Sequence, residues 1–217
     1  LNPVKDMSTL IRGFAEGYKS CPRLRLVIAG DGEEREKLGN LAKELGVERQ
    51  VTFAGWISGG MDRFYNALDV NALTSLSETF PYALTEGARF HLATVATAVG
   101  GIPYLIDAGV NGYLIQPGDW KELGRHFAAL GNDDALRKDM GERLYEKASS
   151  SFSIQRTVDT QLEIYSQVIR KHSRPRRKRD GVVICGAYGR GNAGDDAILE
   201  AILQEIRAVD PDLPVTV

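Results

Sequence analysis

Short apolar segments alternate with amphipathic segments along most of this chain, and that alternation points to an α/β fold. Leu24–Ala29 is an apolar run that ends at glycines, which is typical of a buried parallel strand. Asp6–Ser20 before it carries apolar residues at helical spacing. Glu33–Leu45 after it is a charged helix pattern that ends at Gly46. A strand between two helices in this order predicts βαβ units and a parallel sheet.

The alternation continues to Ile115, and helices dominate from there to residue 171. The further predicted strands are Val51–Ala54, Val70–Leu73, Thr94–Thr97 and Gly112–Ile115, and the further predicted helices are Met61–Leu68, Tyr82–Phe90, Trp120–Leu130, Asp134–Ser149 and Ser153–Lys171. We therefore expect a Rossmann-like parallel sheet with helices on both faces. Such sheets bind ligands at the carboxyl ends of their strands. The residues to examine are thus those that follow strands: Gly30–Gly32, Gly55–Ile57, Ser75–Ala83 and Ala98–Ile102.

Composition excludes several classes of protein. The 217 residues are 43% hydrophobic and 26% charged with a net charge of -2, which is ordinary for a globular protein and favours no nucleic-acid partner. No apolar run approaches the about 18 residues of a membrane span, and the first residues do not resemble a signal peptide. The two cysteines are far apart in the sequence and the three histidines are scattered. We therefore expect reduced thiols, a cytoplasmic location, and neither a metal site nor a cofactor.

A dense basic run divides the chain. Arg170–Arg179 holds seven Lys or Arg, and we interpret it as an exposed linker, although such a run also suits nucleic acid or an anionic membrane surface. After it, Val182–Cys185, a glycine-rich loop and Ala197–Val209 begin a second unit. The predicted parts are residues 1–171, a linker at 172–180, and a truncated βα(β) unit at 181–217.

The ends of the chain also shape our expectations. The chain has no initiator Met and ends in an apolar run, so we expect a piece of a longer protein. Residues 181–217 contain too little apolar surface to enclose a core of their own, and an unpaired strand invites pairing. We expect this segment to dock on its neighbour or to swap between chains.

The segment SLSETFPYALTEG, residues 75–87, is the strongest local motif. Glu78 lies in a loop after a strand, where a carboxylate can bond sugar hydroxyls. Glu86 follows eight positions later within a helix, where it can bond a ribose diol. The amides of residues 80–83 between them form a helix N-terminus suited to a diphosphate. The alternative, from spacing alone, is a solvated Glu78 and a Glu86 that interacts with the helix dipole.

The pair Glu78-x7-Glu86 resembles the E-x7-E motif of retaining family-4 (group 1) glycosyltransferases, which have the GT-B fold. Four further segments resemble that family in the same order: LNPVKDMSTLIRGFA, LRLVIAGDGEEREKL, VTFAGWI and VATAVGGIPYLIDAGVNGYLIQPGD. The resemblance covers about residues 1–171. It implies the C-terminal, donor-binding domain of such an enzyme, transfer with retention, and no metal in the site.

The resemblance also implies roles for single residues. Lys5 would neutralise the donor diphosphate, Glu78 would bind the donor sugar, and Glu86 would bind the ribose. Lys5 and Glu78 would thereby take part in donor activation. The other implied contacts are Gly30 and Gly32 near the nucleotide, Ile57 facing the base through its backbone, and Phe80, Pro81, Tyr82 and Ala83 in the phosphate-facing turn. The family's Arg partner of Lys5, its acceptor domain and its catalytic His would precede Leu1.

Several positions depart from the family or suggest packing. The family usually has Gly, Pro and Glu at the positions of His91, Ala93 and Tyr104, and Tyr104 leaves the identity of the sugar open. We expect Trp56 and Trp120 to pack in the core or at a hinge, and His126 to be a packing or surface residue.

A second motif lies in VVICGAYGRGNAGDDAI, residues 182–198. Gly189, Gly191 and Gly194 spell GxGxxG after a strand, which alone suggests a dinucleotide site. The acidic residue that should end the next strand is not in place. The fuller pattern YGRGNAGDDAIL resembles the N-terminal motif of polysaccharide pyruvyl transferases. That resemblance implies transfer of a pyruvyl group from phosphoenolpyruvate to a cell-wall or capsular sugar.

These observations together predict an enzyme of bacterial surface polysaccharide synthesis. It would take a UDP- or GDP-sugar as donor and a glycan or lipid-linked acceptor, and it could associate peripherally with the inner face of the membrane. The chain by itself is expected to bind donor without turnover. Two alternatives remain: a nucleotide-sugar epimerase on the same fold, and a non-catalytic regulatory or interaction module. A receiver-type module would need an acidic cluster after the first strand, where Asp31 stands alone.

Overall fold

The computed structural model describes residues 1–172, 181–184 and 193–216, and the chain forms two compact units, Leu1–Ser153 and Ile154–Val217. Helices and strands alternate in the first unit, which confirms the predicted α/β class. After a 3-10 turn at Pro3–Lys5 its elements are α1 Met7–Ser20, β1 Leu26–Ala29, α2 Arg35–Glu44, β2 Val51–Gly55, α3 Met61–Asn66, β3 Val70–Leu73, α4 Tyr82–Arg89, β4 Ala93–Thr97, α5 Ile102–Leu105, β5 Tyr113–Ile115, α6 Trp120–Asn132 and α7 Asp134–Ser151.

The strands of the first unit pair in parallel, as predicted, but they form two sheets. β1 pairs with β2, with Leu26 opposite Val51. β4 lies between β3 and β5, with Val95 opposite both Ala72 and Tyr113. Among the described strands β1 and β3 do not pair, and their edges instead line a cavity of about 920 Å³. The five strands are therefore divided between a two-stranded and a three-stranded parallel sheet.

Apolar side chains fill the space between the sheets and the helices. One cluster joins β1 to α1, α2 and α6, and includes Ile11, Leu38 and Leu123. A second joins β3 and β4 to α4, α5 and α7, and includes Leu84 and Leu144. All five residues of β4 are buried, as expected for a central parallel strand that is covered on both faces. The core therefore holds each strand so that its carboxyl end faces the loops that carry the candidate residues.

Helices α1 and α6 approach closely because glycines line their interface. A Cβ atom added to Gly17 would lie 2.8 Å from the carbonyl oxygen of Gly124 and 3.1 Å from Cβ of Phe127. A Cβ atom added to Gly124 would lie 2.6 Å from Cβ of Glu16. All three distances are shorter than normal van der Waals contact, so the helix separation depends on these glycines.

The second unit contains α8 Ile154–His172, β6 Val182–Val183, α9 Ala193–Val209 and β7 Val215–Thr216. β6 and β7 pair in parallel around α9, which confirms the predicted βα(β) unit. α9 begins four residues earlier than the predicted Ala197, so Gly194 lies in its first turn. Gly189, Gly191, Cys185 and linker residues 173–180 lie outside the described residues.

The sequence patterns missed the shortest elements. Neither α5 nor the 3-10 turns at Pro3–Lys5 and Glu48–Gln50 were predicted, because three or four residues carry no period. Pro103 lies in the first turn of α5, where the missing N–H has no helical partner to lose. The longer helices and strands differ from prediction only by a few residues at their ends.

The close contact between α1 and α6 predicts that two Gly→Ala substitutions change the free energy of unfolding in opposite directions. Gly17→Ala should lower the free energy of unfolding by about 1–3 kcal/mol, because the new methyl group meets the α6 backbone. Gly39→Ala in α2 is the matched control, since a Cβ atom there meets nothing within 4 Å. It should raise the free energy of unfolding by about 0.5–1 kcal/mol through helix propensity. Urea denaturation measures both values, and stabilisation by both substitutions would show that the two helices are not in close contact.

Candidate functional site

Thr74, at the carboxyl end of β3, holds the segment that carries Lys5. Its hydroxyl is fully buried and donates to the carbonyl oxygens of Lys5 and Asp6, each at 3.0 Å. The amide of Leu76 donates to the carbonyl oxygen of Val4 at 2.8 Å. These bonds fasten the segment between the 3-10 turn and α1 against the loop that follows β3.

Asp6 turns the chain sharply between Lys5 and α1. Its backbone is left-handed, with φ 43° and ψ 53°, which costs a non-glycine residue about 1–2 kcal/mol. Its carboxylate caps α1 by accepting the amide hydrogen of Thr9 at 3.2 Å, which offsets about 1 kcal/mol of that cost. The turn directs the side chain of Lys5 away from the helix and toward the loop after β3.

Lys5 and Ser75 together orient the carboxylate of Glu78. Lys5 Nζ lies 2.6 Å from Glu78 Oε1, and Ser75 Oγ donates to the same oxygen at 2.7 Å. The carbonyl oxygen of Ser75 accepts a bond of 2.6 Å from the hydroxyl of Thr97, at the end of β4. The Glu78 side chain is only 11% exposed, whereas that of Lys5 is 41% exposed. Both bonds use Oε1, so Oε2 has no hydrogen-bond partner among the described residues.

The backbone of the Glu78 loop rests on two glycines. Gly100 has φ 54°, and a Cβ atom there would overlap the carbonyl oxygen of Glu78. The amide of Gly101 donates to the carbonyl oxygen of Thr79 at 2.7 Å, and a Cβ atom on Gly101 would lie 2.6 Å from that oxygen. Glycine at both positions therefore allows the backbone at residues 100–101 to contact the Glu78 loop closely, and this contact fixes the position of the loop.

Helix α4 lies close to β3 through Asn71. The buried Asn71 side chain donates from Nδ2 to the carbonyl oxygen of Ala83 at 2.9 Å. A Cβ atom on Gly87 would overlap that amide group, so glycine is required there. The N-cap residue of α4 is Pro81, and no side chain caps the first turn. The first amides of α4 are thus presented without a protein carboxylate or hydroxyl in front of them.

Glu86 is an exposed carboxylate that a buried phenol holds. Tyr65 in α3 is 5% exposed, and its hydroxyl donates to Glu86 Oε2 at 2.8 Å. Its ring stacks on Phe90, with centroids 5.4 Å apart and an angle of 14°. Burial is the main cause that raises the pKa of Tyr65, and the hydrogen bond to Glu86 and the negative charge of Glu86 raise it further. Tyr65 therefore remains a protonated donor at neutral pH.

The cavity of about 920 Å³ brings part of the predicted site together. The predicted residues that line it are Lys5, Gly30, Ala83 and Glu86, and Asp31, Trp56 and Tyr65 line it as well. Glu78 adjoins the cavity through its ion pair with Lys5.

The other predicted residues occupy different positions. Gly32 lines a separate depression of about 660 Å³ beside Asp31 and Arg35. Ile57 is half-buried, Pro81 is buried and Tyr82 is exposed. The ring of Phe80 stacks on Phe152 at 5.1 Å, so its side chain packs in the core.

Trp56 was predicted to pack in the core or at a hinge, and that prediction is wrong. Its side chain is 80% exposed, because Gly55, with φ 71°, turns the chain out of β2 just before it. Trp120 is half-buried, and Lys121 lies over its ring. His126 stacks on Tyr113 at 3.8 Å, which confirms its packing role. Burial, with the nearby charge of Arg125, lowers its pKa.

The three departures from the family have different surroundings. His91 has a left-handed backbone with φ 56°, a conformation that favours glycine, and its ring contacts Glu142 and Tyr145. Ala93 is buried in β4, and Tyr104 is exposed on α5. Among the described residues, no three His, Cys, Asp or Glu side chains form a group that could hold a metal ion. No helix within that part is both long and apolar enough to cross a membrane.

Sequence reasoning missed the residues that hold the site in place. Thr74, Thr97 and Asn71 act through buried hydroxyl and amide groups, and Tyr65 acts through a phenol; the sequence motifs assigned a role to none of the four. The available signal was the presence of polar residues at or next to the ends of apolar strands. A buried strand end seldom carries a hydroxyl unless that group has a hydrogen-bond partner.

Comparison with known proteins assigns most of the chain to a family. The family profile described as glycosyl transferases group 1 matches residues 1–147. The chain belongs to this family. Over 160 residues it is 31% identical to the lipopolysaccharide core biosynthesis glycosyltransferase LpsE of Rhizobium meliloti, covering 74% of the chain and 46% of that protein. It is also 31% identical over 166 residues to the putative glycosyltransferase EpsD of Bacillus subtilis, covering 76% and 43%. The chain thus spans less than half the length of these relatives.

Solved structures of the family share the fold. HepE of Anabaena, in complex with UDP-glucose, is 27% identical with a TM-score of 0.68, and the match covers 77% of this chain and 46% of HepE. The C-terminal domain of the group 1 glycosyl transferase LpcC of Francisella tularensis is 24% identical with a TM-score of 0.66. That match covers 71% of this chain and 83% of the LpcC domain. The first unit therefore has the fold of a GT-B glycosyltransferase domain.

The contact beneath the Glu78 loop predicts unequal effects of two Gly→Ala substitutions. Gly100 and Gly109 both have positive φ, so each substitution should incur about 1–2 kcal/mol of backbone strain. A Cβ atom on Gly109 meets nothing within 4 Å, whereas one on Gly100 overlaps the Glu78 carbonyl oxygen. Gly100→Ala should therefore lower the free energy of unfolding by about 1–3 kcal/mol more than Gly109→Ala. Urea denaturation tests this, and equal losses would argue against the close approach.

Proposed function

We propose that residues 1–171 are the donor-binding domain of a retaining glycosyltransferase of bacterial surface polysaccharide synthesis. The donor is a nucleoside diphosphate sugar with uridine or guanosine as the base. The observation that carries the proposal is that Lys5, the ion-pair partner of Glu78, lines the same cavity as Glu86 and as Ala83 in the uncapped first turn of α4. One cation, two carboxylates and a helix N-terminus supply a partner for every polar part of such a donor.

Each group suits a different part of the donor. The free oxygen of Glu86 accepts from the ribose hydroxyls, and Oε2 of Glu78 accepts from a hydroxyl of the sugar. The amides at the start of α4 and the ammonium group of Lys5 bind the diphosphate. Gly30, Gly32 and Ile57 contact the nucleoside through the backbone, as do residues 80–83 around the phosphates.

The same groups stabilise the leaving diphosphate. Negative charge develops on the β-phosphate as the bond to the sugar breaks, and fixed positive groups that face that oxygen lower the barrier. Lys5 is paired with Glu78 in the ligand-free protein, so the diphosphate competes with Glu78 for the ammonium group. No metal ion is needed for this role if Lys5 and the α4 amides carry it.

The comparisons support this function and a uridine donor. HepE, whose structure contains UDP-glucose, shares the fold at 27% identity. LpsE is named for lipopolysaccharide core biosynthesis. We propose that the longer protein acts on a glycan or lipid-linked acceptor at the cytoplasmic face of the membrane. Because this chain spans less than half of its relatives, we propose that it binds donor without transferring sugar.

We further propose that residues 181–217 begin a polysaccharide pyruvyl transferase domain, joined through the linker at 172–180. The parallel β6–α9–β7 unit supports the start of a new parallel sheet, and the family match ends before it, at residue 147. The longer protein would then add a sugar and decorate the polymer with a pyruvyl group.

Substitution of the two carboxylates should separate nucleotide binding from sugar binding. Glu86→Gln should weaken UDP and UDP-glucose about equally, by on the order of 1.5–3 kcal/mol, because both ligands lose the ribose contact. Glu78→Gln should weaken UDP-glucose relative to UDP, since only the conjugate uses that carboxylate. UDP itself should bind Glu78→Gln at least as well as wild type, because Lys5 is released from its ion pair.

Isothermal titration calorimetry with the two ligands measures these effects. Glu142→Gln is the matched control, because Glu142 is an exposed carboxylate that contacts His91 outside the cavity. Equal losses on both ligands for both Glu78→Gln and Glu86→Gln would contradict the assignment.

The proposed linker predicts the first site of proteolysis. Brief trypsin digestion should cut first between residues 171 and 179, because seven cations in ten residues cannot be buried unpaired. A stable product of about residues 1–171 should remain, identified by mass spectrometry. Earlier cleavage within residues 1–150 would place the domain boundary elsewhere.

A further inference from the structure

Glu86 projects from α4 as an exposed carboxylate, which by itself is poorly suited to selective recognition. An unrestrained Glu side chain samples several rotamers, and fixing one of them on ligand binding costs conformational entropy. In this structure the Glu86 carboxylate is bonded through Oε2 to a single side chain, the phenol of Tyr65. What holds Tyr65 therefore also determines the direction of the Glu86 carboxylate.

Tyr65 is held more firmly than Glu86. Its ring is 5% exposed, stacks on Phe90 and meets Phe64 edge-on at 5.7 Å with an angle of 70°. The amide of Leu68 donates to its carbonyl oxygen at 3.1 Å, which closes the turn after α3. Because Phe90 directly follows α4, the ring and the hydroxyl of Tyr65 attach α3 to the same helix at two points. The phenol oxygen is thus a fixed point against the helix that carries Glu86.

The direction of this hydrogen bond leaves the other carboxylate oxygen for a ligand. Oε2 accepts from the phenol, while Oε1 has no partner among the described residues, and both Tyr65 and Glu86 line the cavity. Each carboxylate oxygen can accept two hydrogen bonds, so Oε1 can accept from one of two adjacent hydroxyls while Oε2 accepts from the other hydroxyl as well as from the phenol. A fixed carboxylate therefore strengthens the binding of a vicinal diol more than the binding of a ligand with a single hydroxyl.

We propose that Tyr65 is a positioning residue that orients the Glu86 carboxylate toward a vicinal diol and thereby makes the site prefer ribonucleotides over deoxyribonucleotides. This inference rests on the proposed function, in which Glu86 binds the ribose. Tyr65 acts through Glu86 and need not touch the ligand. The donated proton stays on the phenol over the physiological range, because burial raises the pKa of Tyr65.

The test is a comparison of UDP with 2′-deoxy-UDP, measured by calorimetry on the full chain. Wild type should prefer UDP by about tenfold or more, as expected for a hydrogen bond to a charged group. Tyr65→Phe removes one hydroxyl and keeps the ring, and it should reduce that preference several-fold. Glu86→Gln should abolish the preference, and the double variant Tyr65→Phe/Glu86→Gln should match Glu86→Gln alone.

Tyr18→Phe is the matched control. The hydroxyl of Tyr18 accepts a bond of 3.2 Å from Gln50, and its ring packs on Phe14 away from the cavity lining. This variant loses a comparable hydroxyl and should retain the wild-type preference for UDP. Urea denaturation of each variant, with ligand absent, separates lost stability from lost selectivity.

The outcomes separate the two claims. A Tyr65→Phe protein that keeps the full preference for UDP, or that loses affinity equally for both nucleotides, overturns the positioning role while the proposed function stands. A wild-type chain with no preference, or a Glu86→Gln variant that keeps the preference, refutes the ribose contact itself. A further loss from Tyr65→Phe in the Glu86→Gln background would show that Tyr65 does not act through Glu86. If Tyr65→Phe fails to fold, Glu86→Asp, whose side chain is one methylene shorter and draws the carboxylate back from the phenol, should show the same reduced preference.

Discussion

The buried hydroxyl of Thr74 joins two segments that are almost 70 residues apart, and the candidate site depends on that join. It binds the carbonyl oxygens on either side of the left-handed turn at Asp6, so the turn is fixed at the carboxyl end of β3. Lys5 then reaches Glu78, whose loop is fixed in turn by Ser75 and by Thr97 from β4. Thr74, Ser75 and Thr97 are fully buried, and an unpaired hydroxyl at such a position would cost about 1–3 kcal/mol. Loss of one partner therefore affects the whole arrangement.

The two carboxylates of the site are held in different ways. Glu78 is largely buried and is neutralised by an ammonium group, whereas Glu86 is exposed and receives a hydrogen bond from a neutral phenol. The first arrangement balances the charge of Glu78 with that of Lys5. The second keeps a full negative charge at the cavity and fixes only its direction. The pair therefore combines an exchangeable cation with a fixed acceptor, which suits a ligand that carries both phosphate and hydroxyl groups.

The sequence was most informative where local pattern and physical cause coincide. Glu78 and Glu86 were predicted to lie on either side of a helix N-terminus, and α4 begins between them, at Tyr82. The alternation of apolar runs predicted β1 to β5 because parallel strands covered on both faces need such runs. The same reasoning was wrong for Trp56, since hydrophobic character alone does not indicate whether a turn at Gly55 directs the side chain outward.

Periodicity and spacing were thus sufficient for the class of fold, for the order of helices and strands in the first unit, and for the segment that carries both glutamates. Periodicity and spacing reflect interactions between residues that are close in the sequence, such as helix capping and the alternation of side chains along a strand. Three interactions of the site join residues that are 21 to 73 positions apart. They are the ion pair of Lys5 with Glu78, the hydrogen bond from Thr74 to the carbonyl oxygen of Lys5, and the hydrogen bond from Tyr65 to Glu86. Only tertiary packing decides which buried polar groups meet at such separations. The reason is that each must find a partner once it leaves water, and many pairings satisfy the same local pattern.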